Sequence, residues 1–382
     1  MSIARRSCAL LAAAAMLGGC ASWFSSDSEG PKPTPLAPIN QAQQVRVLWS
    51  ASVPAAGNFF FGPAFAGDSV YAAGRDGTVV RLDAATGRSL WRVDLGTRLS
   101  AGVGSDGRLV AVATDGGEVL ALDAKDGSVR WRARVSSEVL TAPAIGDGLV
   151  LVRSADARVF AFGADDGKRR WVYQHATASL VVRAPAGLSI QGDTAYAGFP
   201  GGKLVAIALE SGGPRWEATV AVPHGATELE RVTDVVGAPA LQGREVCAAA
   251  YQGKVTCFDI RNGNQIWSRE ISSITGVSLD ARYAYVSDDR GSVYAFDRSD
   301  GRSVWKQDKL AYREPSLPLP LPLDSNVAVG DLQGYVHFLA RESGAFVARF
   351  ATDGGAIRAA PIKLPSGVLV QTQDGRLYAL SP

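Results

Sequence analysis

Few side chains in this sequence have the types and spacing that catalysis or metal binding requires. The chain contains three histidines, His175, His224 and His337. No two of them stand at a spacing typical of zinc ligands, and the motifs His-Glu-x-x-His, Cys-x-x-Cys and Gly-x-Ser-x-Gly do not occur. Acidic pairs such as Asp165-Asp166 fall where turns are predicted, and a solvated turn explains them more simply than general acid–base catalysis.

Nothing in the sequence favours a nucleotide or a nucleic acid as ligand. Residues 102–107, Gly-Val-Gly-Ser-Asp-Gly, match the dinucleotide fingerprint, but strand residues 108–112 follow where that motif needs a helix N-terminus. We therefore interpret the glycines as a turn. The 39 Lys and Arg against 37 Asp and Glu leave no basic field for phosphate binding, so no nucleic-acid partner is expected.

A repeat must position whatever site the chain has. Residues 115–131 run through a turn, a strand, a second turn and a strand that ends on Trp131. Eight copies follow this pattern, and their first-turn glycines (Ala157 in the third copy) are spaced 40, 40, 45, 51, 38, 43 and 41 residues apart. A period near 40–45 residues with four short strands is typical of a β-propeller blade.

The last copy predicts how the ring closes. Residues 374–380 stop before an outer strand, whereas residues 45–49 form a strand with Trp49 and no repeat before it. We therefore predict an all-β protein, an eight-bladed β-propeller of four-stranded blades over residues 45–382, whose N-terminal strand closes the ring. Closure removes an unpaired sheet edge. The recurring tryptophan, with Phe350 near its place in the seventh copy, is interpreted as packing between blades, where its indole N–H needs an acceptor.

The N-terminus is a separate region. Arg5 and Arg6 precede a short apolar run, which predicts a signal peptide over residues 1–19. The run ends Leu-Gly-Gly-Cys20, which resembles a bacterial lipobox and implies that Cys20 is lipidated. Residues 20–44 are expected to form a flexible tether. By resemblance to lipoprotein sorting signals, Ala21 favours an anchor in the outer membrane, facing the periplasm.

Two further cysteines leave alternatives open. Cys247 and Cys257 flank the turn at Gln252-Gly253, and they face each other if Ala250 pairs with Lys254. An oxidising periplasm would allow a disulfide in that register, whereas a shift of one residue would leave two buried thiols.

Two connections between blades are unusually long. Residues 174–188 link the third blade to the fourth, and residues 217–237 link the fourth to the fifth. Connections of the same kind emerge on the same face of a propeller, so the two should form one patch with apolar centres and a charged rim. That composition is typical of a protein-binding site, although two solvated loops would share the spacing. The proline-rich run 315–322 is interpreted as an inner strand edge or as a recognition segment.

The repeat resembles that of the quinoprotein dehydrogenases, best at residues 82–91 and 121–131. That resemblance implies an enzyme with pyrroloquinoline quinone and calcium. The chain is shorter than those enzymes, and it lacks their adjacent cysteine pair and an evident set of calcium ligands.

A closer resemblance, over the whole chain, is to the BamB family of lipoproteins in the bacterial β-barrel assembly machinery. Its most specific segments are residues 228–235, 262–267 and 329–337. The resemblance implies a non-enzymatic scaffold without cofactors or metals, monomeric in itself, that docks on the periplasmic POTRA domains of BamA. It also implies a role in folding β-barrel outer-membrane proteins, and extended precursors of these proteins are a further expected partner. A quinone-dependent dehydrogenase and a carbohydrate-binding propeller remain as alternatives.

The same resemblance implies which residues bind BamA. A Leu-x-Leu-Arg pattern falls on Leu180, Val182 and Arg183, and an Asp-Val-Asp pattern falls on Asp234 and Val236. Valine in place of the second aspartate removes a charge. We therefore expect Leu180 and Val182 to give apolar contacts, and Arg183 and Asp234 to give charge-assisted hydrogen bonds.

Overall fold

The chain is built almost entirely of short β-strands. The structure, a computed structural model, describes residues 34–176, 180–311 and 317–382, and these residues form 32 strands and no α-helix. No helix within these ranges is long and apolar enough to cross a membrane.

The strands form eight antiparallel sheets, the blades, which are numbered in chain order. The chain begins with β1 (Arg46–Ser52). Blade 1 contains β2 (Ala64–Ala66), β3 (Ser69–Ala73), β4 (Thr78–Asp83) and β5 (Ser89–Asp94). Blade 2 contains β6 (Gly104–Ser105), β7 (Leu109–Ala113), β8 (Glu118–Asp123) and β9 (Val129–Arg134). Blade 3 contains β10 (Ala144–Gly146), β11 (Leu149–Ser154), β12 (Arg158–Gly163) and β13 (Arg169–Gln174). Blade 4 contains β14 (Leu188–Gln191), β15 (Thr194–Phe199), β16 (Lys203–Ala208) and β17 (Pro214–Thr219).

The second half of the ring repeats this arrangement. Blade 5 contains β18 (Val235–Gln242), β19 (Glu245–Ala250), β20 (Lys254–Asp259) and β21 (Gln265–Glu270). Blade 6 contains β22 (Val277–Leu279), β23 (Tyr283–Ser287), β24 (Val293–Asp297) and β25 (Ser303–Gln307). Blade 7 contains β26 (Leu321–Pro322), β27 (Asn326–Gly330), β28 (Tyr335–Ala340) and β29 (Phe346–Ala351). Blade 8 contains β30 (Ile362–Leu364), β31 (Gly367–Gln371), β32 (Arg376–Ser381) and β1.

The eighth blade confirms the predicted closure of the ring. Its outer strand is β1, which pairs antiparallel with β32 from Arg46 opposite Ser381 to Ser52 opposite Arg376. The two strands come from opposite ends of the sequence, so their hydrogen bonds join the ends of the ring. The predicted eight-bladed, four-stranded propeller is therefore confirmed.

Burial follows the position of a strand within its blade. The second strand of each blade is apolar and buried at nearly every position, as in β3, because neighbouring blades cover both faces of the sheet. The outer strands alternate instead, and in β9 only Trp131 is fully buried. The apolar clusters of the described residues each combine side chains from two adjacent blades, so the core is a ring of layers between blades.

A tryptophan locks seven of the seams between blades. Its indole N–H donates to a backbone carbonyl in the second turn of the next blade at 2.6–3.0 Å; the seven are Trp49, Trp91, Trp131, Trp171, Trp216, Trp267 and Trp305. The indole also packs on the turn glycine of that blade. At Gly87 (φ 70°), for example, an added Cβ would lie 2.5 Å from the ring of Trp49. This confirms the predicted acceptor and explains the glycine in each second turn.

The seam between blades 7 and 8 differs, and it corrects one expectation. Ala348 pairs with Phe338 at the position where Trp305 pairs with Ala295, so alanine and not Phe350 takes the place of the tryptophan. Residues 34–44, expected to belong to the tether, lie against blade 7, where the N–H of Ala42 donates to the carbonyl of Val347 at 2.9 Å.

Candidate partner-binding surface

The two long connections lie next to each other on one face of the ring, as their positions in the repeat predict. The first loop, described at residues 175–176 and 180–187, joins β13 to β14, and the second loop, residues 220–234, joins β17 to β18. Gly187 N–H donates to the carbonyl of Gly237 at 3.0 Å, and Gly237 N–H donates to the carbonyl of Pro185 at 2.7 Å. We call the combined face of both loops the two-loop surface.

Asp234 is the joint between the two loops. Its carboxylate Oδ2 accepts the backbone N–H of Val182 at 2.6 Å, and Oδ1 accepts the N–H of Gly201 at 3.4 Å. The side chain is buried, and burial raises the pKa of the Asp234 carboxyl. The nearby guanidinium of Arg153 is also largely withdrawn from water, which lowers the pKa of Arg153 to about 10.

This position gives Asp234 a different task from the one expected. Both carboxylate oxygens hold backbone of the propeller itself, and only 5% of the residue is exposed. Val236, expected beside it at the partner, is 2% exposed and starts the inner strand β18 with Val235. The pair Asp234 and Val236 therefore shapes the surface from below, and other side chains form its outer face.

Arg183 lies on that outer face. Its side chain is 57% exposed and pairs with Glu138 in the connection between blades 2 and 3, with Nη2 2.9 Å and Nε 3.3 Å from the two carboxylate oxygens. The hydrogen bond to Glu138 raises the pKa of Arg183, so its charge is secure. The guanidinium also stands 5.5 Å from the ring centre of Phe59, which lies in the segment between β1 and β2. These contacts fix the direction of the guanidinium and leave it accessible.

The exposed apolar side chains of the first loop are Leu180 and Val181, at 44% and 46%. Val182, which the sequence pattern favoured, is only partly exposed because Asp234 draws its backbone inward. On the second loop Val222 and Leu229 are exposed at 68% and 72%. The family's Leu-x-Leu-Arg and Asp-Val-Asp patterns include none of Val181, Val222 and Leu229, although large apolar residues in loops rich in charge are themselves a signal.

A pocket of about 240 Å³ opens beneath the first loop. It is lined by Glu138, Arg153, Val181, Arg183 and Asp234, among others. Arg153 donates from Nη1 to the carbonyl of Ala186 at 3.3 Å, and its buried Nε has no hydrogen-bond partner among the described residues. The two-loop surface thus combines exposed apolar side chains with a recess lined by both arginines and carboxylates.

The structure also locates the cysteines and the glycine motif that the sequence singled out. Cys247 and Cys257 are directly opposite each other on β19 and β20 and form a disulfide, with their Cα atoms 4.0 Å apart. The glycine fingerprint at 102–107 spans β6 and the turn before β7, as its reading as a turn predicts. Cys20 and the predicted signal peptide lie outside the described residues. Within the described ranges no group of three His, Cys, Asp or Glu side chains could hold a metal ion.

Comparison with known proteins agrees with this architecture. The family model described as "Outer membrane protein assembly factor BamB" matches residues 75–307. A protein of that name from Burkholderia pseudomallei is 42% identical over 384 residues, covering all of both chains. The crystal structure of BamB from Moraxella catarrhalis covers 89% of this chain and all of its own, with a TM-score of 0.81 and 25% identity.

The quinoprotein resemblance extends to solved structures at the level of the fold. A quinohemoprotein alcohol dehydrogenase from Comamonas testosteroni matches with a TM-score of 0.69 and 13% identity, covering 88% of this chain and 76% of its own. The identity over full length and the family model decide between the two resemblances. The chain belongs to the BamB family of outer-membrane protein assembly factors.

Proposed function

We propose that this protein is a non-enzymatic scaffold of the outer-membrane assembly machinery that docks on the periplasmic POTRA domains of BamA through the two-loop surface. The observation that carries the proposal is that a hydrogen bond to Asp234 holds the backbone of the first loop in place. Asp234 holds the N–H of Val182 at 2.6 Å, while the preceding Leu180 and Val181 remain 44% and 46% exposed. A globular protein that holds apolar side chains outward on a fixed loop is prepared for a partner.

Fixing the loop in advance strengthens docking. A loop that is ordered only on binding loses conformational entropy at that moment, about 0.5–1.5 kcal/mol per immobilised side chain. In the free protein, the hydrogen bond from Val182 to Asp234 and the ion pair between Arg183 and Glu138 already hold the loop in place. Burial of Leu180 and Val181 then contributes most of the affinity.

Arg183 would orient the bound partner. Its Nε and Nη2 engage Glu138, and its remaining N–H groups face away from that carboxylate. A partner carboxylate at this point would form a charge-assisted hydrogen bond with a guanidinium whose direction is already set. The apolar centre and the cation together favour a partner surface with an apolar patch beside an acidic residue.

The rest of the proposal concerns the membrane. We infer that residues 1–19 direct secretion, that Cys20 carries the lipid, and that the chain after it links the lipid to the propeller. The propeller is then held at the periplasmic face of the outer membrane. Relatives named as assembly factors support this location.

Matched leucines test the docking site. Leu180 on the first loop and Leu90 on β5 of blade 1 are 44% and 41% exposed, so Leu180→Asp and Leu90→Asp introduce the same change at equal exposure. Burial of a leucine contributes about 1.5–3 kcal/mol, so Leu180→Asp should weaken binding to the periplasmic domains of BamA by roughly 10- to 100-fold. Leu90→Asp should bind like wild type. Equal loss in both variants, or none in either, would contradict docking through this surface.

A further inference from the structure

One seam of the ring lacks the tryptophan lock. In the seven other seams the indole reaches the second turn of the next blade, the turn that leads into the outer strand. Blade 8 has no such turn, because its outer strand β1 and the neighbouring β32 come from opposite ends of the sequence. A tryptophan in blade 7 would therefore have neither glycine nor carbonyl to receive it, and Ala348 stands there instead.

Residues 34–45, which we call the arm, occupy the outer side of blade 7 beside this seam. The N–H groups of Ala42 and Gln43 both donate to the carbonyl of Val347, at 2.9 and 3.2 Å. The side-chain oxygen of Gln43 accepts a hydrogen bond from Asn326 at 2.9 Å. Val45 is partly buried in the apolar cluster that blades 7 and 8 share. The arm therefore contacts both the backbone and the core of the unlocked seam.

Arg349 on β29 holds the middle of the arm. Its Nη1 donates to the carbonyl of Ala37 at 3.0 Å, and its Nε donates to Nδ1 of His337 at 3.0 Å. Since Nδ1 accepts that bond, Nε2 carries the proton and donates to Oδ2 of Asp331 at 2.8 Å. His337 and Asp331 are both completely buried. Together they fix the direction in which Arg349 reaches the arm.

This chain of contacts accounts for a sequence segment that partner docking leaves unexplained. Residues 329–337 are among the most specific matches to the family, yet they lie on blade 7 and not on the two-loop surface. Asp331 also accepts the N–H groups of Gln333 and Tyr335 at 2.9 and 2.8 Å, so it sets the turn of the blade and the position of His337 together. A buried, fully connected polar network of this kind specifies one arrangement of its members.

We propose that the arm is the closing element of the seam between blades 7 and 8, held by Arg349, which is positioned by His337 and Asp331. The arm takes the place of the absent tryptophan. If Cys20 carries lipid, as the proposed function states, the anchored chain leaves the ring at blade 7. The two-loop surface belongs to the connections between blades 3, 4 and 5, so the anchored end of the chain and the proposed BamA site use different blades of the ring.

Hydrogen–deuterium exchange of the full-length protein tests the arm. The Arg349→Met variant removes the bond to Ala37, and Arg92→Met is its control, because Arg92 stands one residue after Trp91 as Arg349 stands one after Ala348. In wild type the peptide covering 34–44 should be protected from exchange. Arg349→Met should speed its exchange by roughly tenfold or more, whereas Arg92→Met should not change it. The proposal is overturned if the arm of the wild type exchanges like an unfolded chain. It is also overturned if the arm exchanges no faster in Arg349→Met than in wild type.

A second pair of variants decides the matter if Arg349→Met does not fold. Ala42→Pro removes the N–H that donates to Val347, and Asn40→Pro places the same residue at an exposed neighbour outside these bonds. Ala42→Pro should release the arm and lower the melting temperature, and Asn40→Pro should do neither. Identical behaviour of the two variants would refute the closing role. Binding to BamA should persist in all four variants, so failure of this inference and failure of the docking proposal give different results.

Discussion

The role of Asp234 as a joint leads to a prediction that separates its charge from its acceptor oxygens. Asp234→Ala removes the acceptor of the Val182 N–H at 2.6 Å and of the Gly201 N–H at 3.4 Å. A buried hydrogen bond to a charged group is worth about 1.5–3 kcal/mol, so Asp234→Ala should lower the free energy of unfolding by about 2–3 kcal/mol. The first loop should also lose its fixed position.

Asp234→Asn should behave differently. The amide oxygen of asparagine can still accept the Val182 N–H, and the substitution removes a buried charge. Burial raises the pKa of the Asp234 carboxyl above its usual 3.8, which means that ionisation of this group opposes folding. A raised pKa gives stability that is complete below pH 3.8 and is lost as the pH rises through the value in the folded state. At pH 7 Asp234→Asn should therefore cost about 1 kcal/mol or less.

Urea unfolding at pH 7, with BamA binding measured in parallel, gives both readouts. We expect Asp234→Asn to bind almost as wild type and Asp234→Ala to bind several-fold more weakly because its loop is loosened. If Asp234→Asn kept its stability and yet lost binding as fully as Asp234→Ala, the carboxylate would have to contact BamA itself. That result would refute the assignment of Asp234 as an internal joint.

Two further predictions concern stability. Trp171→Phe removes the indole N–H that donates to the Leu209 carbonyl at 2.6 Å and should cost about 1–3 kcal/mol in urea unfolding; an unchanged midpoint would contradict the role of the tryptophan lock. Burial lowers the pKa of His337, so the folded protein keeps it neutral while the unfolded chain takes up a proton below pH 6.5. Stability should then fall by up to about 1.4 kcal/mol per pH unit below pH 6.5, and His337→Gln, which retains one donor for Asp331 and one acceptor for Arg349, should remove that part of the slope.

The sequence predicted the fold well because the repeat carries it. Six of the eight copies contain both the turn glycine and the tryptophan that lock a seam, and Trp49 stands on the unpaired N-terminal strand. The eight copies and this strand determine both the number of blades and the closure. Loop length also predicted where the two-loop surface forms. These features depend on local spacing, and spacing can be counted in a sequence.

The depth of individual side chains was not predictable in this way. A pattern of Leu-x-Leu-Arg favours Val182 over Val181, but the structure exposes Val181, because Asp234 from another loop binds the backbone of Val182. Asp234 itself was expected to contact the partner, because the family's Asp-Val-Asp pattern falls on it, but the structure buries its carboxylate. Contacts between residues 52 positions apart decide both cases, and no local pattern records them.

The seventh blade shows the same limit. Phe350 is the nearest aromatic to the expected tryptophan, yet the register of β28 and β29 places Ala348 there. Residues 34–44 were expected to belong to the tether because their composition is typical of a flexible segment. Contacts with blade 7 hold the arm in place, and the composition of the arm does not record those contacts.

Site-specific photocrosslinking in intact cells tests the central claim most directly. A photoreactive amino acid replaces Leu180 on the first loop or, as the control, Leu90 on blade 1, which is equally exposed. Docking through the two-loop surface predicts an adduct with BamA from position 180 and none from position 90. An adduct from position 90 alone, or no adduct from position 180 in a variant that is correctly folded and located, would contradict the account.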